Sequence, residues 1–344
     1  MEPVNISEYE ALAQARMEPG AWDFFQGGSD DEVTLRECRT ALERIRLRPR
    51  MLVDTSKLDV STTVLSTPVS MPVLVAPTAH HCLAHPEGEC ATAQGAGMAR
   101  TLMIASTFST RSIEEIAAAA SGPLWFQMYS YRGLDIPAQL VRRAEAAGYR
   151  AIVVTVDAPQ LGKRERDIRN DFKLPAHVRP ANVVFDEDES YIPAPTILTW
   201  DSLDWLRGIT SLPLLLKGVL TAEDAVMAVE RGVQGIIVSN HGGRQLDTAI
   251  TSIEALPEIV EAVAGRCEVY VDGGIRRGTD ILKALALGAR AVLIGRPALW
   301  GLAVNGAQGV QQVLEILRAE LELAMILSGR PTLASIDRSL VKLP

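Results

Sequence analysis

The sequence predicts an α/β fold: one (β/α)8 barrel with a helical N-terminal extension. Eight short apolar runs recur from Pro72 onward: Val73–Ala76, Leu102–Ser106, Leu124–Met128, Ala151–Val156, Leu212–Leu216, Gly235–Val238, Val269–Val271 and Ala291–Ile294. Segments of helical period lie between them, so strands and helices alternate as parallel βα units require. The alternative, a doubly wound sheet, usually carries GxGxxG after its first strand, and none is present here.

Taken in order, residues 1–70 read as a helical segment. Ser7 with Glu10 three residues on is a candidate capping box. A second helical stretch, Ala21 to Arg46, is interrupted at Gly27-Gly28. The barrel is expected over 71–305, with helices at Ser112–Ala120, Ile136–Ala147, Ala222–Arg231, Ile253–Ala264 and Thr279–Leu287. Ser112 ahead of Glu114-Glu115 is a start signal, and Gly148, Gly232 and Gly288 are stop signals. A long irregular piece, about 161–201, holds Pro175, Pro180, Pro193, Pro195 and the acidic run at 186–189, and reads as a mobile loop. A C-terminal helical segment is expected over 306–344, and the whole chain reads as one domain.

Composition narrows the function classes. A chain of 344 residues that is 47% hydrophobic and 22% charged can bury a large core. A formal charge of −8 with no basic block argues against nucleic acid or an anionic membrane as partner. Cys38, Cys82, Cys90 and Cys267 have no CxxC spacing and read as free thiols. The N-terminus is acidic and amphipathic rather than signal-like, and no apolar run reaches spanning length, so a cytoplasmic location is the expectation.

The chain is organised around GIIVSNHGGRQLD, Gly235 to Asp247. Its apolar opening suits a strand buried on both faces, and its polar, Gly-rich end stops that strand and sets His241 at a barrel rim. Arg244 follows three residues on. Imidazole accepts a proton near neutral pH and guanidinium grips a carboxylate with two parallel hydrogen bonds, which together suit proton abstraction from an anion. On this stretch alone a surface histidine in a Gly-rich turn reads equally well.

The other strand ends bear on that choice, because barrel chemistry sits at the C-terminal ends of strands. They carry Pro77-Thr78-Ala79, Ser106, Gln127 with Tyr129, Thr155 with Asp157, Lys217, Ser239, Asp272-Gly273-Gly274 and Gly295-Arg296. Glycines and arginines after strands seven and eight are where barrels commonly hold a phosphate. Each alone reads as an ordinary turn; the pair points to phosphate.

PTAxxxxAHPEGE, FQMY, LLKGV, SNHGGRQLD, DGGIRRGTD and ALALGARAVLIGRP resemble the FMN-dependent α-hydroxy-acid oxidase and dehydrogenase family over essentially the whole chain. WDFFQGG, STFSTRS and CLAHPEGE are most similar to its 4-hydroxymandelate oxidase branch. The resemblance implies FMN held by Pro77, Thr78, Ala79, Ser106, Gln127, Tyr129, Thr155, Lys217 and Ser239. By the same resemblance Asp272 binds the ribityl chain, and Gly273, Gly274, Arg276, Gly295 and Arg296 bind the phosphate. It implies His241 as catalytic base oriented by Asp157, Lys217 as electrostatic support for the reduced ring, and Arg164, Arg244 and Tyr129 on the substrate. The implied reaction is oxidation of an (S)-2-hydroxy acid to the 2-oxo acid. O2 is the expected acceptor, giving H2O2, and a dehydrogenase using another acceptor is the alternative. Whether the proton leaves the hydroxyl or Cα, the same base serves. A homotetramer is expected by the same analogy.

Two positions depart from family members. Glycolate and lactate oxidases carry tyrosine where this chain has Phe24, and glycolate oxidase carries tryptophan at Phe108. Both changes favour a substrate with its own aromatic bulk, such as a (4-hydroxy)mandelate, over glycolate or lactate. His80, just past the first strand, is a further candidate for the pocket lining. His80, His81 and His85 lack metal spacing, so no metal is expected. An FMN-barrel isomerase is the competing class; it fits less well because two arginines with a histidine suit a carboxylate rather than a diphosphate.

Overall fold

The barrel strands are apolar along their whole length because both of their faces are buried. In the computed structural model, which describes residues 3–131, 133–183 and 196–344, the expected eight strands close into one parallel barrel. The acidic run at 186–189, Pro193 and Pro195 lie outside the described residues.

Three helices precede the barrel: α1 (Ile6–Arg16), α2 (Pro19–Gln26) and α3 (Val33–Arg44). The N-cap of α1 is Asn5 rather than Ser7. Asn5 Oδ1 accepts from the Glu8 N–H and Glu8 reaches back to the Val4 N–H, so the cap sits two residues earlier than the Ser/Glu pattern suggested. The helical segment also stops at Arg44 rather than near residue 70. Beyond it run a two-residue strand β1 (Arg46–Leu47), an irregular stretch, and a hairpin of β2 (Thr62–Val64) and β3 (Thr67–Val69). Val64 and Val69 join the cluster inside the barrel, so the hairpin seals its N-terminal end.

The barrel then runs β4 (Val73–Val75), α4 (Gly88–Met98), β5 (Met103–Ser106), α5 (Ile113–Ala119), β6 (Leu124–Met128), α6 (Asp135–Ala146) and β7 (Ile152–Thr155). After β7 the chain forms α7 (Glu165–Arg169) and α8 (Asp201–Arg207), so the stretch expected to be irregular carries a short helix. It resumes with β8 (Leu214–Val219), α9 (Ala222–Glu230), β9 (Gly235–Val238), α10 (Ser252–Val263), β10 (Glu268–Asp272), α11 (Gly278–Ala286) and β11 (Ala291–Ile294), which pairs back onto β4. Ser112 and Glu115 form the full capping box at α5, worth about 1 kcal/mol. The chain ends with α12 (Arg296–Ser328) and β12 (Val341–Lys342). That last helix starts ten residues before the expected boundary and breaks at Asn305–Gly306, and the residues after it are short turns and a strand.

Alternation along each strand fixes what points inward. Leu74, Ile104, Trp125, Val153, Leu215, Ile237, Tyr270 and Leu293 fill the barrel interior as one cluster. Their neighbours, such as Val73, Phe126, Val154, Leu216 and Val238, pack outward against the helices. Two residues beyond each interior side chain, at the C-terminal end, stand Ala76, Ser106, Gln127, Thr155, Lys217, Ser239, Asp272 and Gly295. The strand period that fills the core therefore also delivers one polar or small residue per strand to the barrel mouth.

Candidate active site

That mouth carries two hydrogen-bonded sets of side chains. Ser106 Oγ donates to Gln127 Oε1 at 3.2 Å, and Gln127 Nε2 donates to Thr155 Oγ1 at 3.0 Å. On the far side Lys217 Nζ donates to Ser239 Oγ at 2.9 Å and pairs with Asp272 Oδ2 at 3.4 Å. Burial alone would depress the Lys217 pKa, but the carboxylates of Asp272 and Asp157 outweigh it and hold the ammonium above its ordinary value. Ser106, Lys217 and Asp272 line the cavity, and Gln127, Thr155 and Ser239 are hydrogen-bonded to them or to one another.

His241 stands on the rim just after β9 with φ at 59°, a left-handed conformation that costs strain in a non-glycine residue. Its Nδ1 donates to Asp157 Oδ1 at 2.9 Å, which leaves the Nε2 lone pair facing the Tyr129 hydroxyl at 3.2 Å. Removal from bulk water lowers the His241 pKa; Asp157 pulls it up, Lys217 pushes it down, and the net effect is a neutral ring at pH 7. For Asp157, burial opposes ionisation, but His241 and Lys217 overcome it and the carboxyl stays below its ordinary value. Burial pushes the Tyr129 hydroxyl up to about 12, so it remains a proton donor. Asp157 fits only because Gly218 follows Lys217 in β8. Gly218 has φ of 114° at a register shift in the strand, and a Cβ there would lie 2.5 Å from the Asp157 side chain.

Two arginines face this dyad. Arg244 Nη1 donates to the Gly27 carbonyl at 2.7 Å, and its guanidinium lies 5.5 Å from the Phe24 ring centre. Arg164 Nε donates to the Arg244 carbonyl at 2.9 Å, so the two cationic side chains approach from a shared scaffold. Phe24 and Phe108 both line the cavity. Phe24 stacks at 5.2 Å on Phe172 from the loop after β7, while Phe108 stacks at 5.2 Å on Tyr129.

His80 is placed otherwise than the sequence suggested. A left-handed backbone (φ 58°) turns it behind Phe24, its ring centre 5.8 Å from that ring, and it is fully buried outside the cavity lining. His81 is fixed by the hydroxyls of Thr78 and Thr92, and among the described residues no His, Cys, Asp or Glu cluster could hold a metal ion.

At the far end of the cavity Gly273, Gly274 and Gly295 meet Arg276 and Arg296. Burial and mutual repulsion push the Arg276 guanidinium down to about 9; burial first, then Arg164 among other charges, push Arg296 to about 10. Among the described residues neither makes an ion pair; Glu10, Asp280 and Glu32 act on them without direct pairing, and burial and the neighbouring arginines dominate, so the region favours an anion. Arg296 also donates to the carbonyls of Phe25 and Gly27 at the C-terminal end of α2, and to that of Gly242 in the His241 loop. Gly274 is obligatory here, since a Cβ would meet the Cys38 carbonyl of α3 at 2.2 Å. Midway along the cavity Asp272 Oδ1 is buried without a hydrogen-bond partner in the protein, an acceptor aimed at a ligand hydroxyl. Arg276 and Arg296 would suit an anionic terminus, Asp272 a hydroxylated linker, and Lys217 a ring that gains negative charge on reduction, and FMN has these parts in that order.

Sequence reasoning passed over Gln245, Gly218 and Phe172. Gln245 sits inside the same motif as His241 and Arg244, and its position there was the available signal; Phe172 and Gly218 act through contacts that no local spacing reveals.

A parallel barrel with this mouth defines a flavin-dependent oxidoreductase. Residues 13–343 match the FMN-dependent dehydrogenase family, and the chain belongs to it. It is 51% identical to an L-lactate oxidase from Nostoc sp., over 99% of this chain and 98% of that protein. It is 48% identical to a peroxisomal (S)-2-hydroxyacid oxidase from Arabidopsis thaliana, over 98% and 96%. Mandelate oxidase with (S)-2-phenylpropionate superposes with a TM-score of 0.93 at 47% identity, covering 99% of both chains. The protein is an FMN-dependent 2-hydroxy-acid oxidase or dehydrogenase.

Proposed function

We propose that the chain oxidises aryl 2-hydroxy acids of the mandelate type to 2-oxo acids, with O2 as acceptor. The observation that carries the aryl reading is the aromatic wall: Phe24 backed by Phe172 on one side, Phe108 with Tyr129 on the other. Identity does not rank the substrates, since 51% to a lactate oxidase and 47% to a mandelate oxidase structure are close. A wall without a hydroxyl at Phe24 gains from burying a ring and offers no extra hydrogen bond to a small acid.

The residues divide the work by charge. Arg164 and Arg244 hold the substrate carboxylate, and Tyr129 donates toward the substrate oxygens. Neutral His241 removes the proton at Nε2, and Asp157 stabilises the imidazolium that results. Lys217 supports negative charge at the barrel centre. Arg276 and Arg296 hold the phosphate. FMN, when bound, supplies the two-electron acceptor.

The test is anaerobic flavin reduction across mandelates, lactate and glycolate, followed by readmission of air with H2O2 measured. Greater kcat/KM for mandelates with rapid reoxidation supports the proposal. Equal or better kcat/KM for lactate or glycolate overturns the aryl reading, and slow reoxidation overturns the oxidase reading.

A further inference from the structure

We infer that Gln245 is a positioning residue whose amide sets the substrate-carboxylate clamp by locking the segment 157–164 onto the His241 loop. The inference rests on the carboxylate reading of Arg164 given above.

The side chain is nearly buried and every hydrogen-bonding valence is used. Its Nε2 donates to the carbonyls of Asp157 and Gln160, both at 2.9 Å. Its Oε1 accepts from the Gly162 N–H at 3.2 Å and from Arg164 Nη2 at 3.3 Å. Chemistry fixes this orientation. Two carbonyls can only accept, and a backbone N–H and a guanidinium can only donate, so a flipped amide would lose all four contacts.

A second observation comes from the backbone. A Cβ on Gly162 would stand 2.5 Å from the Arg244 carbonyl and 2.8 Å from Gln245 Cα, so the segment is pressed against the His241 loop with no space for a side chain. That carbonyl is also the acceptor for Arg164 Nε. Arg164 is thus oriented by two groups of one short segment, Arg244–Gln245, which also presents the second arginine. The grip needs both guanidiniums in register, and Gln245 together with the Arg244 carbonyl couples them.

Gln245→Leu keeps the volume and removes all four bonds. The predicted effect is selective for charge. KM for the 2-hydroxy acid rises about 10–100-fold, the range for losing a hydrogen bond to a charged group. The limiting rate of flavin reduction and the flavin content change less, while Tm falls because the Asp157 and Gln160 carbonyls and the Gly162 N–H lose their partner. With the primary amide of the same acid, which presents no carboxylate, kcat/KM is nearly unaltered, so the acid-to-amide preference collapses. In an Arg164→Leu background, Gln245→Leu adds little further loss.

An unchanged acid-to-amide ratio in Gln245→Leu, or additive losses in the double variant, overturns the inference. If the leucine variant does not fold, Gln245→Met read by the same ratio takes its place. Failure of the underlying reading is distinguishable, because the wild type itself would then show no preference for acid over amide.

Discussion

Asp157 Oδ1 and His241 Nδ1 lie 2.9 Å apart across two strand ends, and that contact sets which imidazole nitrogen is free. Asp157 raises the His241 pKa while burial and Lys217 lower it, with the net lying below the ordinary histidine value. Wild-type kcat/KM is therefore expected to hold through neutral pH and fall only below the ordinary histidine range, as Nε2 becomes protonated. In Asp157→Asn the acid limb moves lower still, because the raising influence is gone. The plateau rate drops by about 10²-fold, since nothing stabilises the imidazolium. His241→Ala loses ~10²–10⁴-fold in flavin reduction yet purifies yellow. A pH–rate profile of the two variants beside wild type checks both; an unmoved acid limb in Asp157→Asn counts against the assignment.

The paired arginines at the end of the cavity predict a phosphate-specific effect. Arg276→Leu removes one of two cations that crowd each other without an ion pair. Affinity for FMN is expected to fall about 10–100-fold, while affinity for riboflavin, which lacks the phosphate, changes little. Fluorescence titration of the apoprotein with both flavins measures the ratio. Equal losses for the two would show that Arg276 acts by packing against Trp300 alone, its ring 4.6 Å away.

Phe172 supports the wall that faces the substrate. Phe172→Ala leaves Phe24 without its stacked neighbour and opens the pocket toward solvent. The expected result is a ~5–20-fold loss of kcat/KM for mandelate, in line with one aromatic contact plus its buried area. Lactate, which does not reach that wall, is expected to change by less than half as much on a logarithmic scale. Steady-state kinetics on both acids decides it.

Inside the barrel, Trp125 is fully buried against Tyr270, with ring centres 5.7 Å apart. Trp125→Ala is expected to cost about 3–5 kcal/mol by leaving a cavity that the closed barrel cannot collapse around. Denaturant unfolding gives the value; a loss under 1 kcal/mol would mean that the strands readjust.

The eight strands were legible because a parallel barrel strand is apolar on both faces, and such runs stand out between helical segments. Leu124–Met128 and Ala291–Ile294 have the bounds that the pattern suggested, whereas Lys217–Val219 extended β8 beyond it because the bulge at Gly218 interrupts the apolar run. The mouth residues were legible as strand ends, and the inward period explains why. His80 was misplaced because one left-handed dihedral reverses the direction of a side chain, and sequence gives no sign of it. Asn5 displaced Ser7 as a cap because two overlapping start signals stand side by side, and only the three-dimensional entry of the chain selects between them.

β1 pairs with β12, α1 packs on α12, and Tyr9 donates to Gln312 at 2.6 Å. Phe24 lies on the helix between those contacts in sequence, and that helix is also held by Arg296 through the Phe25 and Gly27 carbonyls, so full support of the substrate wall draws on residues late in the sequence. During synthesis on a ribosome the barrel strands emerge in order and can pair with their neighbours, but this wall has to wait for the last stretch to be released. Completion of the pocket is then a late event that follows closure of the scaffold, and a protein shortened at its C-terminus would lose substrate discrimination before it lost its secondary structure.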